Sequence, residues 1–420
     1  LNGSTLTPVA DPGRKPLHDQ SRPGYTDKYT NSAARTVFPS MNNTLINRDR
    51  LVRTFIDLAG ISSPSFSEDR VFDYLSENLR QLGLSVTLQE YGQGKNLVAV
   101  LPATDPSFPP IMLSAHADTV GPCNDITIET DGVTIRSDGT TVLGGDDKTA
   151  IAEIIETLCV LIEEDLPHGR IEILVTSGEE VGLVGAKNLD MGLLSSRHCL
   201  VLDAGGEVGT VVIGAPHQVS FEVDVRGKKA HAGIEPEKGI NAIVVAAGII
   251  QRFPVGRLDP RSVANYGWIS GGGASNIVPD QITLRGEIRS HDAALLESHI
   301  TRLREAAAAA GNDSGATVSV TITPEYSAFS ISENDPLVAM VREACSQTGL
   351  PCTSVTGGGG SDANVLAAQG ISCVNLACGM RMVHTNEEYV LVDDLVKAAS
   401  LVTAIVSDKV RLLGNSLPPG

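Results

Sequence analysis

Apolar and polar positions follow two successive patterns along this chain. From residue 41, helical spacing over 46 to 59 and 67 to 82 gives way to strand-like stretches over 84 to 90 and 96 to 101. An apolar strand, PIMLSAHAD, runs to Asp118, and a short hairpin-like insert, ITIETDGVTIRSDG, follows it. A helix is expected from about 148 to 164, then a strand (RIEILVTS), a helix after 182 and a strand (HCLVLDA). Strands that alternate with helices predict a mixed, largely parallel sheet covered on both faces, an α/β/α sandwich.

At about Gly214 the pattern changes. QVSFEVDVRG alternates as a half-exposed strand, and a helix is expected near 237 to 252. The strands VANYGWIS and QITLRGEIRS, the helix ALLESHITRLREAAAAA and the strand TVSVTIT come next. This order is that of the ferredoxin-like split unit. Residues 214–326 are therefore expected to form an α+β lid inserted into a discontinuous catalytic domain, 41–213 and 327–420. The α/β pattern resumes after Tyr326 with helices at 335 to 348 and 361 to 369, a strand ISCVNLA and a long helix from near Val392. Residues 1–40 are polar and lack hydrophobic periodicity, and are expected to be a flexible leader or extension ahead of Met41.

Composition narrows the partners. The formal charge of −18 over 420 residues argues against nucleic acid and anionic membrane surfaces. No stretch approaches the roughly 18 apolar residues of a membrane-spanning helix. Seven cysteines are scattered without a CxxC pair, which predicts reduced, mostly buried thiols and a cytoplasmic protein.

The candidate chemistry sits at strand ends. In SAHADTV, His116 and Asp118 are two apart, so they share one face at the carboxyl end of a strand, where α/β sheets collect ligands. LGGDDKTA places Asp146 and Asp147 on a glycine turn before a helix, where an acid could equally cap the helix. TSGEEVG carries Glu179 and Glu180, of which one could bind metal while its neighbour moves a proton. Asp203 closes the strand in LDAGG, and His384 follows the last strand in MVHTNEEY. Each alone has an ordinary structural reading. Together, two histidines and three carboxylates suit a zinc site with nitrogen and oxygen ligands, one carboxylate bridging if two ions lie about 3.5–4 Å apart.

The ordered set HxD, GGDDK, GEE, a later Asp and a C-terminal His, around a ferredoxin-like insert, resembles the co-catalytic zinc family of peptidase T, dipeptidases, aminoacylases and glutamate carboxypeptidases. The resemblance covers about residues 45 to 415. KKAHAGIEPEKGINAI, GGGGSDANVLAAQGISCVNLACG and VHTNEEY are most similar to the peptidase T-like branch. The resemblance implies that Asp146 bridges two zinc ions (cobalt or manganese could substitute), with His116 and Asp203 completing one site and Glu180 and His384 the other. It implies that Asp118 orients His116, that Glu179 is the general base, and that the Asp146–Asp147 peptide is cis. It further implies that His231, reaching in from a partner subunit in many members, stabilises the oxyanion, and that Asn276, Arg289 and, more loosely, Asn241 bind substrate. Arg289 would take a terminal carboxylate, and Gly358 to Asp362 would form a wall of the cleft.

The activity implied is a cytoplasmic di-zinc aminopeptidase for short peptides, dimeric through its lid. RMVHTNEEY departs from the His-Gly-Lys-type sequence of the tripeptidases, so a strict tripeptide preference is not implied. An amidohydrolase acting on N-acyl amino acids or on C-terminal residues keeps the same chemistry. A catalytically dead scaffold would not need the full ligand set that is present. Histidines 18, 168, 198, 217, 291 and 299 match no motif and are read as structural or surface residues.

Overall fold

The computed structural model of the protein describes residues 45–407, so the leader expected at 1–40 and the end of the expected catalytic domain lie outside the described residues. The larger sheet has nine strands among them. Its order is Ser85–Tyr91, Gly94–Leu101, Ile171–Thr176, Ile111–His116, His198–Ala204, Ser372–Ala377, Thr210–Ala215 and Phe329–Ser330, with Thr353–Thr356 also paired to Thr210–Ala215. Parallel pairing joins the four central strands and the Thr353–Thr356 pair. The remaining pairs are antiparallel. The sheet is thus parallel at its centre and antiparallel towards its edges, less parallel than the sequence pattern suggests. The difference comes from the hairpin Ser85–Leu101 and from the short strands Thr210–Ala215 and Phe329–Ser330, too brief to show periodicity.

The central strands are apolar throughout because both faces are covered. In Ile111–His116, Ile111, Leu113 and Ala115 pack into the core formed with helices Arg48–Ala59, Gly145–Glu163, Pro336–Thr348 and Val392–Val406. Met112, pointing the other way, joins Cys199, Val201, Leu366 and Cys373 on the opposite face. Six of the seven cysteines are buried and all are unpaired. Among the described residues, no helix is long and apolar enough to cross a membrane.

The insert forms a separate five-stranded antiparallel sheet, in the order Gly256–Asp259, Ser262–Gly271, Gln281–Ser290, His217–Arg226 and Thr317–Tyr326. Its four long strands, numbered along the chain, lie as 2-3-1-4, which is the ferredoxin-like arrangement expected. Helices Ala242–Arg252 and Ala293–Ser314 cover one face through Phe221, Val223, Ile249, Leu284 and Leu303. Pro216 is the one residue between the two sheets on the way in, and Ser327 and Ala328 connect them on the way out. The buried Asn364 donates from Nδ2 to the carbonyl oxygens of both Pro216, at 3.2 Å, and Ser327, at 2.7 Å.

A small third sheet runs Met380–Arg381, Tyr389–Leu391, Thr134–Ser137 and Ile128–Thr130. The predicted hairpin insert forms two of its strands. It ties the loop that carries His384 to the segment leading into Asp146.

Candidate active site

Four of the candidate residues stand just at or beyond the carboxyl ends of the parallel strands. His116 ends its strand, which stops two residues before Asp118, whereas the sequence pattern carried it to Asp118. Asp203 is the penultimate residue of strand His198–Ala204, and Glu179 and Glu180 follow strand Ile171–Thr176. Asp146 sits at the start of helix Gly145–Glu163, where Asp146 and Asp147 have non-helical backbone angles, so the regular helix begins at Lys148 as the sequence suggested. The peptide bond between them is cis.

Asp146 is the meeting point. His116 Nε2 lies 3.0 Å from its Oδ1 and 3.6 Å from Asp203 Oδ1. His384 Nε2 lies 3.3 Å from Asp146 Oδ2 and 3.1 Å from Glu180 Oε2. One carboxylate therefore offers one oxygen to each of two groups, His116 with Asp203 and His384 with Glu180. Asp147 also comes near His116 and Asp203. Its Oδ2, however, accepts the backbone N–H of His116 at 3.1 Å, which marks it as a support of the strand end.

The opposite nitrogen of His116, Nδ1, is 3.0 Å from the Asp118 carbonyl oxygen and 3.4 Å from Asp118 Oδ1. Asp118 is fully buried and does more than face the imidazole. Its Oδ1 accepts the N–H of Glu179 at 3.0 Å, and its Oδ2 accepts the N–H of Glu180 at 3.2 Å and the Ser65 hydroxyl at 2.7 Å. Glu68 braces the same turn by accepting the N–H of Gly178 at 3.1 Å. Gly178 has φ +64°, and the Phe66 ring occupies the space a Cβ would need, so only glycine fits there.

This crowding of charge sets the proton affinities. Hydrogen bonds to Asp146 and Glu180 push His384 up to about 10. Burial works to lower His116, but its hydrogen bonds to Asp118, Asp146 and Asp203 outweigh it and hold the imidazole well above its usual value. Asp146 is held low by both histidines despite its burial. Asp203 is pushed up to about 7 by burial, with His116 opposing and Asp146 assisting. Glu179 is raised well above its ordinary value by burial and then by Asp203. A half-buried acid whose proton affinity is raised is suited to accept a proton and return it.

The donor set fits divalent metal ions. Two imidazole nitrogens and three carboxylates converge, and Glu180 Oε1 is a buried oxygen without a hydrogen-bond partner, an arrangement costly in protein alone. The opposite reading, protonated histidines ion-paired with acids, leaves that oxygen unsatisfied.

The proposed substrate residues fall in two places. Arg289 reaches the glycine wall, with Nη1 3.4 Å from the Gly358 carbonyl, while its Nε and Nη2 are held by Glu287 at 3.0 and 3.1 Å. Tyr326 packs under Gly360, where a Cβ would collide with the phenol ring. His231 and Asn276 lie on adjoining segments of the insert, joined by the Ala232 N–H to the Asn276 carbonyl, and both side chains are exposed. Among the described residues, no hydrogen bond or ion pair links either to the acid–histidine cluster. Asn241 has a structural task, its side-chain oxygen capping helix Ala242–Arg252 through the N–H groups of Ile243 and Val244. Of the unassigned histidines, 168 is buried against the Gly169 carbonyl and 299 pairs with Asp259.

Sequence reasoning missed Ser65, Glu68 and Glu388, whose roles are made by contacts distant in the chain. Glu388 is the most consequential. Buried four residues after His384, it accepts the N–H groups of Leu143, Gly144 and Asp146. Burial pushes it up to about 7.

An α/β unit with this cluster at its strand ends, interrupted by a ferredoxin-like insert, defines a hydrolase of the M20 peptidase class. The M20 peptidase dimerisation domain profile matches residues 213–314, and that of peptidase family M28 matches 96–198. The YqjE protein of Bacillus subtilis is 37% identical over 372 residues, 87% of this chain and all of its own. The crystal structure of aminopeptidase PepT from Bacillus cereus shares 38% identity at a TM-score of 0.80, covering 86% of this chain and 99% of that one. A tripeptidase from Staphylococcus aureus shares 35% identity at a TM-score of 0.84, over 89% and 100%. The chain belongs to the peptidase T-like branch of the M20 peptidases.

Proposed function

We propose that the protein is a cytoplasmic di-metal aminopeptidase that removes the N-terminal residue of short peptides, tripeptides among them. The carrying observation is Asp146, whose two oxygens face two different histidines. His116 and Asp203 would hold one zinc ion with Asp146, and Glu180 and His384 the other, with cobalt or manganese able to substitute. When bound, such a metal pair supplies Lewis acidity that lowers the pKa of a water and polarises the scissile carbonyl.

The chain's own residues do the rest. Glu179 takes the proton of the attacking water as the oxygen–carbon bond forms, then delivers it to the amine nitrogen as the carbon–nitrogen bond breaks. Asp118 keeps the Glu179 turn and the His116 imidazole in register. Residues 214–326 serve as a lid on a catalytic unit of 41–213 and 327–420. The dimerisation profile over 213–314 supports a homodimer through that lid, with His231 offered to the oxyanion across subunits. Arg289 and Asn276 would take the far end of the peptide, Arg289 through Nη1, which Glu287 does not engage and which makes only the long 3.4 Å contact with the Gly358 carbonyl. The names of the Bacillus cereus and Staphylococcus aureus relatives support the aminopeptidase reading over the acylase one.

The test is hydrolysis of a tripeptide, a dipeptide, an N-acetyl amino acid and a C-terminal glutamyl amide, with each metal and with chelator. Chelator-sensitive release of the N-terminal residue is expected. Preference for the acylated substrate would move the function to an amidohydrolase with the same centre.

A further inference from the structure

The loop that carries His384 is closed at its base. Met380–Arg381 and Tyr389–Leu391 pair antiparallel, and Tyr389–Leu391 pairs in turn with Thr134–Ser137, upstream of the Asp146 turn. From this loop two side chains reach the same short segment. His384 reaches the Asp146 carboxylate, and Glu388 reaches the backbone around it. Glu388 Oε2 accepts from the N–H of Leu143 at 2.9 Å and of Gly144 at 2.8 Å, and its Oε1 accepts from the N–H of Asp146 at 2.9 Å. A Cβ on Gly145 would lie 2.9 Å from Oε1, so the glycine is what lets the carboxylate approach.

We propose that Glu388 is a positioning residue that fixes the bridging carboxylate and thereby couples the two metal subsites. Three converging N–H groups need an acceptor at each of the two positions, which a carboxyl group with two oxygens offers and an amide, with an NH2 at one of them, does not. Asp146 must present Oδ1 to one subsite and Oδ2 to the other, so a small rotation of its turn misplaces both oxygens together. His384 stands on the same loop, so Glu388 sets the distance between the second subsite's histidine and the shared carboxylate. Supports of ligands commonly govern metal affinity in this way.

The proposal rests on the two-metal reading above, and its test separates the two. The chelator-stripped full chain is titrated calorimetrically with zinc, as wild type and as Glu388→Gln, and thermal unfolding of both stripped proteins is followed by circular dichroism. Wild type should take up two equivalents. The variant should fold but bind the second equivalent about 10–100-fold more weakly. A variant that takes two equivalents at wild-type affinity, even with a lowered unfolding temperature, overturns the role and makes Glu388 a purely structural brace. If the amide variant fails to fold, Glu388→Asp, which keeps the acceptor but shortens it, is read the same way. A wild type that takes up fewer than two equivalents sinks the two-metal reading, and the coupling with it.

Discussion

Asp118 Oδ1 accepts the backbone N–H of Glu179 at 3.0 Å, so the residue that faces the His116 imidazole also holds the turn that bears the candidate base. Asp118→Asn keeps the shape but turns one acceptor into a donor, opposing the N–H groups of Glu179 or Glu180 or the Ser65 hydroxyl. We expect kcat/KM to fall about 10–100-fold. The fall should appear in kcat as well as in metal affinity, since both the base and a ligand lose their register. Steady-state kinetics at saturating zinc check this, and an effect confined to affinity would contradict it.

Glu179→Ala should retain both metals and lose about 10²–10⁴-fold in kcat. Metal content by mass spectrometry, alongside tripeptide turnover, reads the two quantities on one sample. Near-normal turnover would remove Glu179 from the role of base.

His384→Ala should lower the tightly held metal from two equivalents to one. The imidazole is more than half exposed, so the substitution creates no core cavity and the fold should persist. Full occupancy in the variant would show that His384 is not a ligand.

Metal uptake should release protons. In the metal-free chain His384 titrates at about 10 and Asp203 at about 7, so at neutral pH the imidazole carries a proton that a metal must displace. Affinity should therefore rise with pH from about 6 to 10. Calorimetry in buffers of different ionisation heat measures the protons directly, and a buffer-independent heat at pH 7 would argue against the assignment.

Asp362, fully buried behind the cluster with Thr176 donating to it at 2.5 Å, has its pKa pushed up to about 6 by burial. A carboxyl whose folded pKa is raised contributes its full stability below the unfolded value and loses it as pH rises through the folded one. The chelator-stripped protein should thus lose stability between pH 4 and 6 on this account. Asp362→Asn should remove that loss, stabilising the stripped chain at pH 7 by about 1–3 kcal/mol and leaving it nearly unchanged at pH 4. Denaturant unfolding at the two pH values makes the comparison.

The elements carrying the cluster were legible because each joins an apolar run to a chemically distinctive motif. Strand Ile111–His116, the turn at Asp146 and strand His198–Ala204 are of this kind. Thr210–Ala215, Thr353–Thr356 and Tyr389–Leu391 were not legible, because these short segments neither alternate clearly nor end in a distinctive motif. Asn241 shows a different limit. In KGINAI it reads as a substrate contact, and the cap that its oxygen forms on Ile243 and Val244 is not seen in the sequence. Glu388 shows a third, since a carboxylate that binds backbone N–H groups leaves no trace in the identity of its partners.

The crossings held by Asn364 have a consequence for how the molecule is built. Phe329 is the direct antiparallel register partner of Ala215, so the chain leaves and re-enters the larger sheet at a single rung of one hairpin. In topological terms everything from Pro216 to Ala328 is a hairpin turn, enlarged until it acquired a sheet and helices of its own. The strand order of the larger sheet does not depend on what that turn contains. The insert can therefore be lengthened, remodelled or exchanged over a lineage while the acid–histidine cluster stays where it is.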